Sequence, residues 1–271
     1  VAYGSEKEGR HITSHVIGSQ PSHPEVSKIA LKEVYETQHP KVIFVDLNGL
    51  TFQTHDQQEY FVRNYYESMP DGERKDAIAA RYPYLVQEET SFELFRYHNN
   101  FRNYETIIES SGVQKKLKGH KPMNGIADLK TIDIDPTTTL PLNEDQSLYV
   151  DEFIEVAKEC VDSRIIFGRM PRYVQSKNVN DVYLLRSARD RIEEAGIEYI
   201  DFSEQLDQHD DTHNFVLKSD QRDDEHLNIS GAIKFSTYLV DFLGLREEKK
   251  DDDVVEDFRQ SYDYYASRYI K

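Results

Sequence analysis

Apolar and polar positions along this chain follow two rhythms. "PEVSKIALKEVYETQ" (24–38) sets Val26, Ile29, Ala30 and Val34 three to four residues apart behind a Pro suited to a first turn, and so predicts a helix. "KVIFVDLNG" (41–49) is a continuous apolar run closed by Asn-Gly, the pattern of a strand buried on both faces. The two patterns recur. "HVIGS" (15–19) reads as a short β-branched strand, "RIIFG" (164–168) and "IEYIDF" (197–202) as two more. Helices are expected within 148–161, over 179–195 and over about 229–243. Strands alternating with helices predict an α/β fold with a parallel sheet covered on both sides.

Residues 50–147 break that rhythm. "DQQEYFVRNYYESM", "GERKDAIAARY" and "SFELFRYHNNFRNYETIIES" have helical spacing and many aromatics, whereas "KGHKPMNG" (118–125) reads as a loop. A mostly helical insertion of this length is expected to cap one end of the sheet. The tail, about 251–270, opens on three Asp and carries a stripe of Val254, Phe258, Tyr262, Tyr265 and Tyr269. It predicts a docked amphipathic helix within a single domain spanning 1–271.

Composition narrows the partners. The chain of 271 residues carries a formal charge of −17, so phosphate backbones repel it and nucleic acid is not an expected partner. The single Cys160 excludes an internal disulfide framework and a Cys-based zinc site, and its place on an apolar stripe with Val156 marks it as core. No run of eighteen apolar residues exists. The first residue is Val1 and not Met, which suggests processing and a segment upstream.

The stretch with the most chemistry is "DDEHLNISGA" (223–232). Asp223 stands three residues before His226, a spacing that lets the carboxylate reach Nδ1–H and leave Nε2 free as a general base. Asn228 is the expected N-cap of the helix that follows, and Gly231 lets its first turn approach another element. Two other meanings compete. An Asp-x-x-His in a solvated acidic loop is common, and His209, Asp210, Asp211 and His213 together with Asp223, Asp224, Glu225 and His226 form a group able to take a divalent ion. "NIS" (228–230) matches a glycosylation sequon, but its place at a helix start argues against modification. Asp46 ends a strand and either reaches the site or caps a neighbouring loop. Arg96 and His98 line a site or pack the insertion.

The block "DDEHLNISGAIKFSTYLVDFLG" resembles the last motif of the SGNH, or GDSL-type, hydrolase superfamily. "HVIGSQPSHPEVSKIALKEVYETQHPKVIFVDLNGL", "LFRYHNNFRNY" and "KGHKP" resemble a Gram-positive cell-envelope branch of it. The resemblance implies a three-layer α/β/α flavodoxin-like sheet and Ser-His-Asp ester chemistry that needs no cofactor. It implies an acylated polysaccharide or acyl carrier as partner, and a cell-surface location with a membrane anchor in an absent N-terminal segment. By motif position Asp223 and His226 are the acid–base pair, Gly18 an oxyanion-hole amide and Asn48 its side-chain donor, although "LNGL" lacks the Asp of the usual G-x-N-D. The nucleophile turn is not matched. Ser19 in "VIGSQ" follows a β-branched run, Ser5 in "YGSEK" does not, and the register of the second motif places the expected nucleophile upstream of Val1. A non-catalytic binding module on the same fold is the rival expectation.

Overall fold

A computed structural model describes residues 12–17, 23–51, 57–86, 116–118, 122–126, 128, 132–205, 216, 219–245 and 252–270. Its sheet has three parallel strands in the order β1 (Val42–Asp46), β2 (Arg164–Arg169) and β3 (Glu198–Asp201). Val42 pairs with Arg164 and Asp46 with Gly168; Ile166 pairs with Glu198 and Arg169 with Asp201. The fold is therefore mixed α/β.

Three of the described helices, over 24–38, 144–159 and 229–242, start on a capping side chain. Helix α1 (Pro24–Gln38) begins on His23, whose ring Nδ1 accepts from Glu25 N–H, with Pro24 in the first turn. Two helices of the insertion follow, α2 (Gln58–Ser68) and α3 (Glu73–Arg81). Helix α4 (Glu144–Glu159) starts four residues earlier than its apolar stripe suggests. Asn143 and Gln146 form a reciprocal capping box there, and that polar signal sets the boundary. Helix α5 (Val179–Glu194) joins β2 to β3, and a short turn of helix, α6 (Phe202–Gln205), follows β3. Helix α7 (Ile229–Phe242) and the tail helix α8 (Asp252–Tyr269) complete the order.

Helices α1, α4 and α5 cover one face of the sheet. There Leu31, Val45, Tyr149, Val150, Phe153, Phe167 and Leu185 form one buried cluster. Helix α7 lies on the other face, where Phe235, Tyr238 and Leu239 pack on Ile166, Ile200 and Phe202. The described helices of the insertion pack beside α1 through Val26, Ile29, Phe61, Val62, Tyr82 and Leu85. The segment "SFELFRYHNNFRNYETIIES", with Arg96 and His98, lies outside the described residues. The tail helix buries Phe258, Ser261 and Tyr265 and meets Leu117 and Ile229, while Val254 of the expected stripe is exposed. No described helix is long and apolar enough to cross a membrane.

Two expectations are corrected. Strand β1 is not buried on both faces: Val42, Ile43 and Phe44 are half-buried and only Val45 is buried, while β2 is buried from Ile165 to Arg169. The reason is position. β2 is the central strand, and β1 is an edge with no strand on its outer side among the described residues. Residues 15–17, the described part of the strand expected over 15–19, belong to no strand. They run past the tail helix instead, with Val16 N–H donating to Lys118 O at 3.3 Å and His15 edge-on to Phe258.

Candidate functional site at the strand ends

The DDEH stretch closes on itself. Gln221 and Leu227 form an antiparallel bridge, Arg222 N–H donates to His226 O at 2.8 Å, and Asn228 N–H donates to Asp220 O at 3.0 Å. Inside this loop Asp223 Oδ1 accepts from the backbone N–H of Glu225 (2.9 Å) and of His226 (2.8 Å). An Asp carboxylate folding back on the next residues is a local preference of its short side chain. The same carboxylate meets the His226 ring, with Nδ1 2.9 Å from Oδ1 and 3.1 Å from Oδ2.

Burial pushes the Asp223 carboxyl up, but the Glu225 N–H, the His226 ring and the His226 N–H outweigh it and hold it below the ordinary carboxylate range. Asp223 thus stays ionised and its Oδ atoms fix the ring. Both side chains are about two-fifths exposed, at 40% for Asp223 and 39% for His226, so the ring has access to an incoming molecule. No described side chain hydrogen-bonds Nε2, the ring nitrogen that faces away from Asp223.

The loop is strapped to the segment that follows β2. Tyr173 N–H donates to Asp224 O at 3.0 Å, Lys177 pairs with Asp224 at 2.8 Å, and Arg172 pairs with Glu225 at 3.3 Å. Asn178 Nδ2 also donates to Asp224 Oδ2, and Gln221 Nε2 donates to Pro171 O. These contacts fix His226 beside the carboxyl end of the central strand, the usual ligand side of a parallel sheet. Asp224 and Glu225 are thereby committed to cations. Among the described residues no three metal-ligating side chains converge, and His209, Asp210, Asp211 and His213 lie outside those residues.

Strand β1 ends on the same rim. Asp46 caps both neighbouring turns: Oδ1 accepts from Asn48 N–H at 2.7 Å and Oδ2 from Met170 N–H at 3.1 Å. Of its two expected roles it therefore takes the capping one. Burial raises its carboxyl above the ordinary range, against the pull of those two N–H groups and of Arg172 and Arg169. Substituting Asp46→Asn puts an amide NH2 against one backbone N–H. The expected loss is about 1–3 kcal/mol, read as a lower urea midpoint with an unchanged slope. The sign also holds for pH. A raised folded value means that Asp46 stabilises the fold when protonated, and that this contribution falls away as pH rises from the ordinary carboxylate value through the raised one.

Asn48, the expected oxyanion donor, is buried in the 3-10 turn that follows β1 (Asn48–Thr51), and its Oδ1 has no hydrogen-bond donor among the described residues. The structure thus places Asn48 and the Asp223–His226 pair at the carboxyl ends of the strands. Gly18, Ser19 and Ser5 lie outside the described residues.

Sequence reasoning missed the role of Arg169, Arg172 and Lys177. Arg169 is 2% exposed and pairs at 2.8 Å with Asp201, the last residue of β3. The available signal was "GRMPRY", two Arg at the end of a buried strand in a strongly acidic chain.

A second group lies on the far flank of the loop, in a cavity of about 660 Å³ lined in part by Asn124, Ile126, Ser230 and Lys234. Asp220, 1% exposed, takes both the Lys234 ammonium and the Ser230 hydroxyl. The carboxylate bonds Lys234 and Ser230 together, and the group braces the start of α7. The chain matches no protein-family profile, no curated protein and no solved structure.

Proposed function

We propose that this chain is an ester hydrolase or acyltransferase of the SGNH type, with a three-layer flavodoxin-like arrangement, acting on acyl esters of a cell-envelope polysaccharide at the cell surface. The observation that carries the proposal is the Asp223–His226 contact of 2.9 Å, with Nε2 turned away from the acid. A carboxylate on Nδ1 sets the tautomer in which Nε2 accepts a proton, and it stabilises the imidazolium that results. His226 would take the proton of a serine hydroxyl as its oxygen attacks the ester carbonyl. It then returns that proton to the departing alcohol, leaving an acyl-enzyme. Water or a glycan hydroxyl, deprotonated by the same Nε2, releases the acyl group, so hydrolysis and transfer share one intermediate.

Within the chain, Ser19 is the nucleophile of this proposal, with Gly18 and Asn48 as oxyanion donors. The burial of Asn48 near the rim agrees with that assignment, because a buried amide is worth more to a developing negative charge than an exposed one.

The test is labelling of the full chain with a fluorophosphonate, alongside hydrolysis of a p-nitrophenyl acetate probe. The expected result is a labelled serine, with labelling and turnover reduced about 10²–10⁴-fold in His226→Ala, the usual range for losing a general base. Absence of labelling in the wild-type chain would support the rival, a non-catalytic glycopolymer-binding module. Turnover that disappears with EDTA would support a metal-dependent hydrolase.

A further inference from the structure

The first turns of α1 and α4 meet around a second cavity. Gln146 of α4 donates to Leu50 O, in the turn after β1, at 3.0 Å, so α4 begins at the carboxyl end of the sheet. His23, the cap of α1, stands edge-on to Tyr149 of α4, which puts the start of α1 at the same end. Here a cavity of about 200 Å³ lies between α1 and α4 on one side and the ends of α2 and α3 on the other.

The floor of this cavity is charged. Lys28 and Glu25 are both buried and pair at 2.7 Å, Lys28 also bonds Glu152, and the Tyr82 hydroxyl donates to Glu25. With Arg81 3.8 Å from Glu25, two cations stand against two carboxylates and the lining is neutral as a whole. Packing alone does not call for such a floor, because apolar side chains of the same volume serve a core as well as a buried ion pair does. The mouth keeps polar groups with nothing to bond. Arg81, the last residue of α3, is 52% exposed and hydrogen-bonds no described residue. Gln58, the first residue of α2, accepts from the Tyr149 hydroxyl at 3.3 Å, and its amide NH2 meets no described acceptor. Glu152 bonds Lys28 through Oε2, and its Oε1 has no described donor. Two donors and one acceptor therefore face one small space.

We propose that this cavity binds one neutral sugar ring. A hydroxyl both donates and accepts, so a ring of hydroxyls can meet the Arg81 and Gln58 donors and the Glu152 acceptor together. An uncharged ligand leaves the balance of the lining undisturbed. A free anion is turned away by a chain of net charge −17, and a free cation meets Lys28 and Arg81. The cavity is smaller than the roughly 300–1,000 Å³ of a drug-sized pocket, which suits one ring and not a chain of them. Leu148, exposed at the mouth, offers its apolar side chain to the C–H face of the ring. The site is separate from the Asp223–His226 pair, lies at the same end of the sheet, and stands whether or not that pair is catalytic.

Titration of the full, isotope-labelled chain with methyl β-glucopyranoside and with the methyl glycoside of N-acetylglucosamine, followed by NMR, tests this. Saturating shifts of the Gln58 side-chain amide and of the Tyr149 N–H are expected for at least one of the two, with a Kd of about 1–10 mM, the weak end of specific binding. Arg81→Ala is expected to raise that Kd at least about tenfold, as for loss of a charged donor. Gln58→Ala is expected to raise it about threefold or more, and keeps the test open should the loss of Arg81 disturb α3. The readout is binding and not turnover, so a chain without esterase activity answers it equally well. No saturating shift with either glycoside up to about 100 mM would overturn the proposal. So would a Kd indifferent to both substitutions, or tighter binding of acetate or glycine at Gln58, which would assign the cavity to a charged ligand.

Discussion

Lys28→Met is expected to lower the unfolding free energy by about 3–5 kcal/mol, the usual cost of removing one partner of a buried ion pair. Lys28 sits in the second turn of α1 and is 4% exposed. Its ammonium lies 2.7 Å from Glu25, itself 3% exposed, and also bonds Glu152 of α4. The Tyr82 hydroxyl donates to the same Glu25 carboxylate, and Arg81 stands 3.8 Å from it. Burial first, and then this carboxylate, push the Tyr82 phenol far above its ordinary value, so it stays a donor. The network ties α1 to α4 on one side and to the end of α3 on the other. A methionine fills the volume of the lysine stem but leaves Glu25 buried with its main counter-charge gone. The measurement is urea unfolding followed by circular dichroism. Adding Glu25→Gln to Lys28→Met is expected to recover part of the loss, since the stranded charge is then gone. A loss below about 1 kcal/mol in the single variant would mean that water reaches Glu25 and the pair is worth no more than a surface one.

Gly168→Ala is expected to cost about 3 kcal/mol or more, at the upper end of what overpacking does. Gly168 stands near the rim end of β2, between both neighbouring strands. Its carbonyl accepts from Leu47 N–H at 2.8 Å on the β1 side. On the β3 side a Cβ would fall 1.8 Å from Ile200 O and 2.7 Å from Ile200 C. Those are backbone atoms, so no rotamer change relieves the clash, and one ladder or the other must open. Opening it displaces Arg169 from Asp201 and moves Met170, whose N–H reaches Asp46. A thermal melt reads the loss directly. Unchanged stability would show that β2 and β3 separate at this point without cost, and that the rim is softer than its hydrogen bonds imply.

Most of the helices were legible from periodicity and caps. Residues 24–38 carry a stripe and a first-turn Pro, and the helix occupies that span. Asn228 caps α7 through Gly231 N–H at 2.9 Å, and a Cβ on Gly231 would lie 2.0 Å from Asp220 O, the close approach that its place in the first turn suggested. The Asp223–His226 contact was legible for the same reason. A three-residue spacing with two intervening backbone N–H groups closes on itself without help from distant residues.

Errors arose where the outcome depended on a neighbour far away in the chain. "KVIFVDLNG" and "RIIFG" are equally apolar, but one is an edge and the other the centre of the sheet, and strand order is not a local property. "HVIGS" has strand composition, yet its described part, residues 15–17, lies beside the tail helix and in no strand.

What the sequence by itself determined, then, is the set of features whose partners lie within about one helical turn: the caps, the stripes and the acid that orients His226. What only the tertiary structure decided is where those pieces meet. It set the pairing of Arg172 with Glu225 and of Lys177 with Asp224, which holds the histidine loop against the segment after β2. It also set the enclosure of Lys28 between helices more than a hundred residues apart, and the edge position of β1 in the described sheet. The physical reason is range. Backbone preferences and side-chain-to-backbone hydrogen bonds act within a few residues and are written in the local order. Burial and ion pairing act across space, and depend on which distant surfaces the chain brings together.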